Sequence, residues 1–232
     1  MTNKATFCSD MSVDLVRCLA DDDIVIDSAR VSTNTVGADT DVSRFIDFLV
    51  RDRHGSPFEH CVFTFALDVP IFVAREIMRH RIASYSEESG RYTASRLKFY
   101  LLESHRPLVQ AGKPGDYKFT PGSQLQIDYA SIVNASTCVE AAETYQAMLD
   151  DGIAREVARM VLPVSTYTRI HMTINARSLM NFLSLRHATK DSWYKTSPLY
   201  EIELVAKQME QQFKEFMPHT HAAFIEHGRI AP

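Results

Sequence analysis

From Cys61 to Val69, apolar and weaker positions alternate, with Cys61, Phe63, Phe65, Leu67 and Val69 set against Val62, Thr64, Ala66 and Asp68. A period of two predicts a strand with one strongly apolar face. The alternating run VSTYTRIHMTI over 164–174 predicts a second strand. Helical spacing takes over elsewhere. Phe45, Ile46, Phe48 and Leu49 predict a helix over 41–54, stopped by Gly55-Ser56-Pro57. An alanine-rich helix is expected over 124–150, ending near Gly152, then a short helix over 153–162 before Pro163 and another from Ala176 to about Ala188. Prolines and glycines at 107, 112, 114, 115, 121 and 122 mark the segment from 103 to 123 as a long loop, the least ordered part. Strands separated by helices without a repeated βα period indicate an α+β fold. No internal repeat is visible, and residues 1–232 read as one domain.

Residues 70–82, PIFVAREIMRHRI, also read as a helix, with Pro70 suited to its first turn. Its faces do not separate. At ~100° per residue Ile71, Met78 and Ile82 fall together, whereas Val73 and Ile77 point elsewhere and Arg75, Arg79, His80 and Arg81 lie between them. A helix apolar on several sides is buried, so its arginines face an interface or an anion, unless the helix is a solvated, salt-bridged one. The following Ala83–Gly90 is rich in small hydroxyl residues and reads as a loop closed by Arg91. Such a loop lets backbone N–H groups approach a phosphate, and arginine adds a planar fork. Neither GxxxxGK[ST] nor GxGxxG occurs, so a Walker loop and a Rossmann dinucleotide site have no support.

A second anomaly lies after Asn175, itself a natural N-cap. Arg186 falls among Leu179, Phe182 and Leu183 on the apolar face of the predicted helix, opposite a polar stripe of Arg177, Asn181 and Ser184. Arginine keeps its charge when buried, so it is paired, holds an anionic partner, or snorkels from a frayed end. Arg155 and Arg159, beside Glu156, have the spacing of a solvated helix face, and His219 and His221 lack a third metal ligand and read as surface residues. No metal site is indicated.

The net charge of -4 and pI near 6.1 weigh against a nucleic-acid binder, which makes the local arginine clusters sites for a small anion. Cysteines 8, 18, 61 and 138 form no CxxC pair, so neither zinc nor a disulfide framework is indicated and a reducing, cytoplasmic setting is expected. No apolar run approaches the ~20 residues that span a bilayer, and the first ten residues lack a signal-peptide apolar region, so no membrane association is expected. The residues alone leave open a nucleotide-binding regulator that uses the same arginines without catalysis.

Arg79, His80 and Arg81, seven further residues, then Ser89 and Gly90-Arg91-Tyr92 resemble the RHRx7S signature of the flavin-dependent thymidylate synthases. The likeness extends to His54-Gly55-Ser56-Pro57-Phe58-Glu59-His60, to Arg155–Arg159 and to Asn175–Arg186, covering most of residues 44–190. Residues 103–125 and the C-terminal tail match loosely. Departures from the family pattern are Glu76, where glutamine is common, Ser86 for asparagine, an added Glu88, and Lys190 where relatives often carry histidine.

The resemblance implies a mainly antiparallel sheet packed by helices, active sites at the subunit interfaces of a homotetramer, and reductive methylation of dUMP to dTMP. It implies FAD as hydride carrier, with NADPH and 5,10-methylenetetrahydrofolate as cosubstrates. Transferred residue by residue, FAD would be held by Ser56, Arg79, His80, Arg81, Glu87, Asn175, Arg177 and Asn181. The dUMP site would draw on Glu76, Ile77, Met78, Arg79, Glu87, Glu88, Ser89, Gly90, Arg91, Arg159 and Arg186. Arg186 would be catalytic, activating the pyrimidine without a cysteine nucleophile, and His54 and Tyr92 would stack on the folate.

Overall fold

The structure, a computed structural model, describes residues 4–37, 39, 41–113 and 116–232, Asp116 by its backbone alone. Residues 1–3, where part of the N-terminal reading falls, and the predicted loop residues Pro114 and Gly115 lie outside the described residues. In chain order the elements begin β1 (Thr6–Cys8), β2 (Ser12–Leu19), α1 (Asp22–Arg30), α2 (Val42–Arg51), β3 (Val62–Pro70), α3 (Ile71–Ile77), β4 (Ser84–Glu87) and β5 (Lys98–Tyr100). They continue β6 (Val109–Lys113), β7 (Asp116–Thr120), α4 (Gln124–Asp150), α5 (Arg155–Ala158), β8 (Tyr167–Asn175), α6 (Ala176–Arg186), α7 (Tyr200–Phe216) and α8 (Pro218–Glu226). The main sheet has the order β2-β3-β8-β4, β1 pairs with β5 in parallel, and β6 with β7 forms an antiparallel hairpin. The expected α+β class, a mainly antiparallel sheet packed by helices, is the one observed.

Where the periodicity was strong, the elements follow it. Phe63, Phe65, Leu67 and Val69 of β3 are buried, and so are Ile170, Met172 and Ile174 of β8. Strand β8 starts later than the alternation does, because Thr166 turns back to give both its N–H and its hydroxyl to the Pro163 carbonyl. Helix α4 begins in a capping box, with Ser123 Oγ accepting from Gln126 N and Gln126 Oε1 from Ser123 N. Helix α6 begins on Asn175, whose Oδ1 accepts from Ser178 N at 2.8 Å.

Several expectations are corrected. The helix expected over 70–82 ends at Ile77, and Ser84–Glu87, read as loop, is strand β4 beside β8 in the sheet. Its backbone groups find sheet partners there, which outweighs a composition that favours a loop. Ile82, placed on a buried face by the wheel, is 75% exposed. The loop expected over 103–123 contains the β6–β7 hairpin, a two-stranded ladder that composition alone masks. The helix expected over 153–162 is α5 followed by a single 3₁₀ turn over Arg159–Val161. Ser184, assigned to a polar stripe, is buried with its hydroxyl donating to the Asn181 carbonyl.

The chain divides into two compact units. One comprises residues up to Ser12, Asp68–Ile77 and Glu87–Ile170, with a core of Leu97, Phe99, Cys138, Ala142, Tyr145 and Ala158. In it Asp68 accepts from Arg96 Nη2 at 2.6 Å and Lys98 Nζ at 2.9 Å. The Lys98 ammonium also sits 4.0 Å from the centre of the Tyr167 ring. The other unit comprises Val13–Leu67, Met78–Ser86 and the chain from His171 onward. Its core includes Ile46, Val50, Phe58, Phe63, Phe182 and Phe213, with Phe63 meeting Phe213 edge-on at 6.0 Å. Asp22 ties α1 to α8 by accepting from the N–H and hydroxyl of Thr220.

Candidate active site

The second unit holds a cavity of about 710 Å³ between α6, residues 79–82 and residues 231–232. Once Leu179, Phe182 and Leu183 are committed to the core, the helical period turns Arg177, Ser178, Asn181 and Leu185 toward this space, and Arg186, at the last residue of the helix, lines it as well. Arg79, His80 and Arg81 line it from the segment after α3. Four guanidinium groups thus surround one cavity, with Ile174, Leu185 and Pro232 giving it apolar wall. That mixture suits a ligand with phosphates at one part and a planar ring at another.

Arg186 is not on a frayed helix end. Its Nε–H donates to His80 Nε2 at 2.9 Å, so His80 carries its proton on Nδ1. Burial, and then the charge of Arg186, pushes the His80 pKa down to about 4, and the ring is neutral at neutral pH. Phe182 meets the imidazole edge-on at 4.7 Å, and the Tyr85 hydroxyl donates to the His80 carbonyl at 2.8 Å. The arginine plane is therefore set by a ring that packs against Phe182 and whose backbone is held by Tyr85.

Arg177 is similarly held. Its Nε donates to the Pro232 carbonyl at 2.7 Å and its Nη1 to Glu59 Oε1 at 2.6 Å. Glu59 lies in the His54–His60 segment, outside the residues expected to bind cofactor or substrate. Its signal was only its place in that segment. His54 and Ser56 line a different cavity, of about 430 Å³, in which Phe48 lies 5.3 Å from the His54 ring and the Arg30 guanidinium sits over Phe45. Asn175 serves as the N-cap of α6 and does not line the larger cavity. Met78 is half-buried.

Most of the expected nucleotide-site residues belong to the first unit. Ser89–Thr93 forms a turn in which Ser89 Oγ accepts from Arg91 N and the Ser89 carbonyl from Tyr92 N and Thr93 N. Arg91 pairs with Glu156 at 3.0 Å, both side chains more than half exposed. Gly90 packs against Arg159, since a Cβ there would lie 3.2 Å from Arg159 Cδ. One turn of helix puts Glu156 and Arg159 on the same side, so within this chain Arg91 and Arg159 lie near each other. Glu87 accepts from the Thr168 hydroxyl at 2.8 Å. Glu88 lies 3.4 Å from Arg96 Nε, a Coulombic contact without hydrogen-bond alignment, so the carboxylate added before Ser89 is offset by a cation. Ile77 is fully buried, Glu76 half-buried, and Tyr92 75% exposed. Sequence reading passed over Arg96 and Asp68 because their pairing spans 28 residues.

A family model described as thymidylate synthase complementing protein matches residues 14–219. Over 97% of each chain, 49% of residues are identical to the flavin-dependent thymidylate synthase of Tropheryma whipplei (strain TW08/27). The chain belongs to the flavin-dependent thymidylate synthase family. The flavin-dependent thymidylate synthase of Streptomyces avermitilis is 46% identical, with 99% of this chain and 96% of that one covered. Among solved structures, the UMP/dUMP methylase PolB from Streptomyces cacaoi bound with 5-Br UMP superposes with a TM-score of 0.93 at 45% identity, covering 99% of this chain and 100% of that one. The same protein bound with 5-Br dUMP gives 0.91 at 46% identity.

The residues of this flavin-dependent thymidylate synthase fit such a cofactor. The donor set of the larger cavity has the charge for a flavin nucleotide's phosphates, and its apolar wall suits the ring. The thiols fit a mechanism without a cysteine nucleophile. Burial raises the Cys18 and Cys138 thiols and pushes Cys61 up to about 12.

Proposed function

We propose that this thymidylate synthase methylates dUMP reductively to dTMP, with 5,10-methylenetetrahydrofolate as carbon donor and NADPH as reductant. FAD, when bound, supplies the hydride-transfer chemistry. The observation that carries the assignment of roles is the Arg186–His80 contact on a cavity lined by three further arginines. Neutral His80 takes the Nε–H and so orients the guanidinium, which stabilises the ionised pyrimidine by a charge-assisted hydrogen bond. Arg79, Arg81, Arg177 and Asn181, with His80, Ser56, Glu87 and Asn175, hold FAD. Ser89, Gly90, Arg91 and Arg159, with Glu87, Glu88 and residues 76–79, hold dUMP, and His54 and Tyr92 receive the folate. The chain acts as one domain in a cytoplasmic homotetramer with its sites at subunit interfaces. The family match over residues 14–219, which includes parts of both compact units, supports the single domain. Among the described residues no helix is long and apolar enough to cross a membrane.

The purified protein, given dUMP, methylenetetrahydrofolate, FAD and NADPH, is expected to form dTMP and one tetrahydrofolate per turnover. Dihydrofolate as the stoichiometric folate product would overturn the flavin-hydride route. A second substrate, UMP, follows from the name of the solved relative, a UMP/dUMP methylase bound with analogues of both nucleotides. Running UMP in parallel decides it, through the ratio of the two kcat/KM values.

A further inference from the structure

Outside the residues already assigned, one cluster of ionisable groups is almost wholly buried. Arg229 is 1% exposed, and its guanidinium donates from Nη1 to Glu210 Oε1 at 2.6 Å and from Nη2 to Glu210 Oε2 at 2.7 Å. The same carboxylate meets His187 Nδ1 at 2.5 Å and His221 Nε2 at 2.9 Å. His221, expected on the surface, is thus a mostly buried partner of Glu210. The backbone of Arg229 is left-handed at φ 58°, although it is not glycine, and its N–H donates to the Phe224 carbonyl at 2.8 Å. Strained backbone of this kind persists only where the surroundings over-determine it. Apolar residues of the same volume would often stabilise a core at least as well as buried ions, so stability alone does not account for this set.

What the cluster fixes is the chain that leaves it. Arg53 Nη1 donates to the Ile230 carbonyl at 3.1 Å and the Ala231 carbonyl at 3.2 Å. The Pro232 carbonyl accepts from Arg177 Nε, and Ala231 and Pro232 form part of the wall of the larger cavity. Gly55 leaves the room for this approach. A Cβ there would lie 2.5 Å from Arg177 Nε and 2.6 Å from the Pro232 carbonyl oxygen, while its φ of -79° is one that alanine accepts. The other arm of the cluster, His187, directly follows Arg186 and caps α6. One carboxylate thereby holds the end of the helix that bears Arg186 and the strap against which Arg177 rests.

We propose that Glu210, Arg229 and Gly55 are positioning residues of the cofactor cavity, holding residues 230–232 as a strap that sets the orientation of Arg177. The proposal rests on the reading that this cavity holds FAD. Gly55→Ala, which leaves the ion cluster intact, is expected to weaken FAD binding at least tenfold with an unchanged circular dichroism spectrum and an apoprotein melting temperature close to wild type. Arg229→Lys keeps the charge but loses the fork, and is expected to weaken FAD in the same direction. Because both act through one strap, the double variant should lose little more than the weaker-binding single variant. Affinity is read by titrating apoprotein with FAD and following the flavin absorption bands, whose shape also reports the ring's surroundings. Wild-type affinity and band shape in both variants would overturn the proposal, even if Arg229→Lys melted lower, since that would leave the cluster a purely structural role. Additive losses in the double variant would also overturn it. A wild-type protein that binds no FAD would instead overturn the cofactor reading, and the proposal with it.

Discussion

Arg186→Ala is expected to lower the rate of dTMP formation at saturating dUMP by roughly 100- to 1000-fold, the usual loss when one donor to a developing negative charge is removed. The guanidinium sits at the last residue of α6 with its plane set by neutral His80. Flavin should remain bound, because Arg79, Arg81 and Arg177 still line the cavity. Arg186→Lys should recover little: a lysine retains the charge but cannot give one N–H to His80 while presenting a planar edge to a ring. Single-turnover measurement of dTMP in the flavin-loaded variants tests both, and near-normal turnover by the lysine variant would show the planar guanidinium to be dispensable. The His80 ring offers a second readout. Burial is the larger cause of its low pKa and the Arg186 charge the smaller, so in Arg186→Ala the value should rise from about 4 yet stay below the ordinary 6.5, as histidine proton shifts would show.

The largest effect on stability outside the Glu210 cluster is expected at Asp68. Its side chain is 18% exposed and meets Arg96 and Lys98, which are 27% and 26% exposed. Asp68→Asn leaves the half-buried Lys98 facing a neutral amide and Arg96 with only the looser contact to Glu88. Breaking a fully buried pair costs about 3–5 kcal/mol, and the remaining exposure reduces this to about 2 kcal/mol. For a chain of this size that is a fall of roughly 4–8 °C in Tm. Burial alone would raise the Asp68 carboxyl, but the hydrogen bonds from Arg96 and Lys98 outweigh it and hold the pKa below the ordinary 3.8. A depressed carboxylate stabilises the fold above its unfolded value and ceases to do so as pH falls through the folded one. The difference between wild type and Asp68→Asn should therefore be full from pH 5 to 8 and shrink in stronger acid. A Tm difference that persists unchanged at pH 2 would show that charge is not its origin.

The sequence by itself determined those elements whose burial repeats locally. The alternation from Cys61 to Val69 and the capped helices after Ser123 and Asn175 are legible because each side chain's surroundings are settled by its own neighbours along the chain. Arg186 was legible as an anomaly for the same reason: a charge on a face otherwise given to Leu179, Phe182 and Leu183 must have a partner. The RHRx7S spacing told the family, and through it the chemistry. The sequence could not say what the partner was. His80 is 106 residues away from Arg186, Glu59 is 118 from Arg177, and Pro232 is 55 from Arg177. Only the tertiary structure brings these groups within hydrogen-bond distance, because such bonds depend on where whole elements pack and leave no period in the chain. The same holds for the end of α3 and for β4. The helical pattern runs on to Ile82 and the composition of Ala83–Gly90 suggests a loop, yet Ser84–Glu87 is a strand because a sheet edge from a distant part of the chain offers its backbone groups partners.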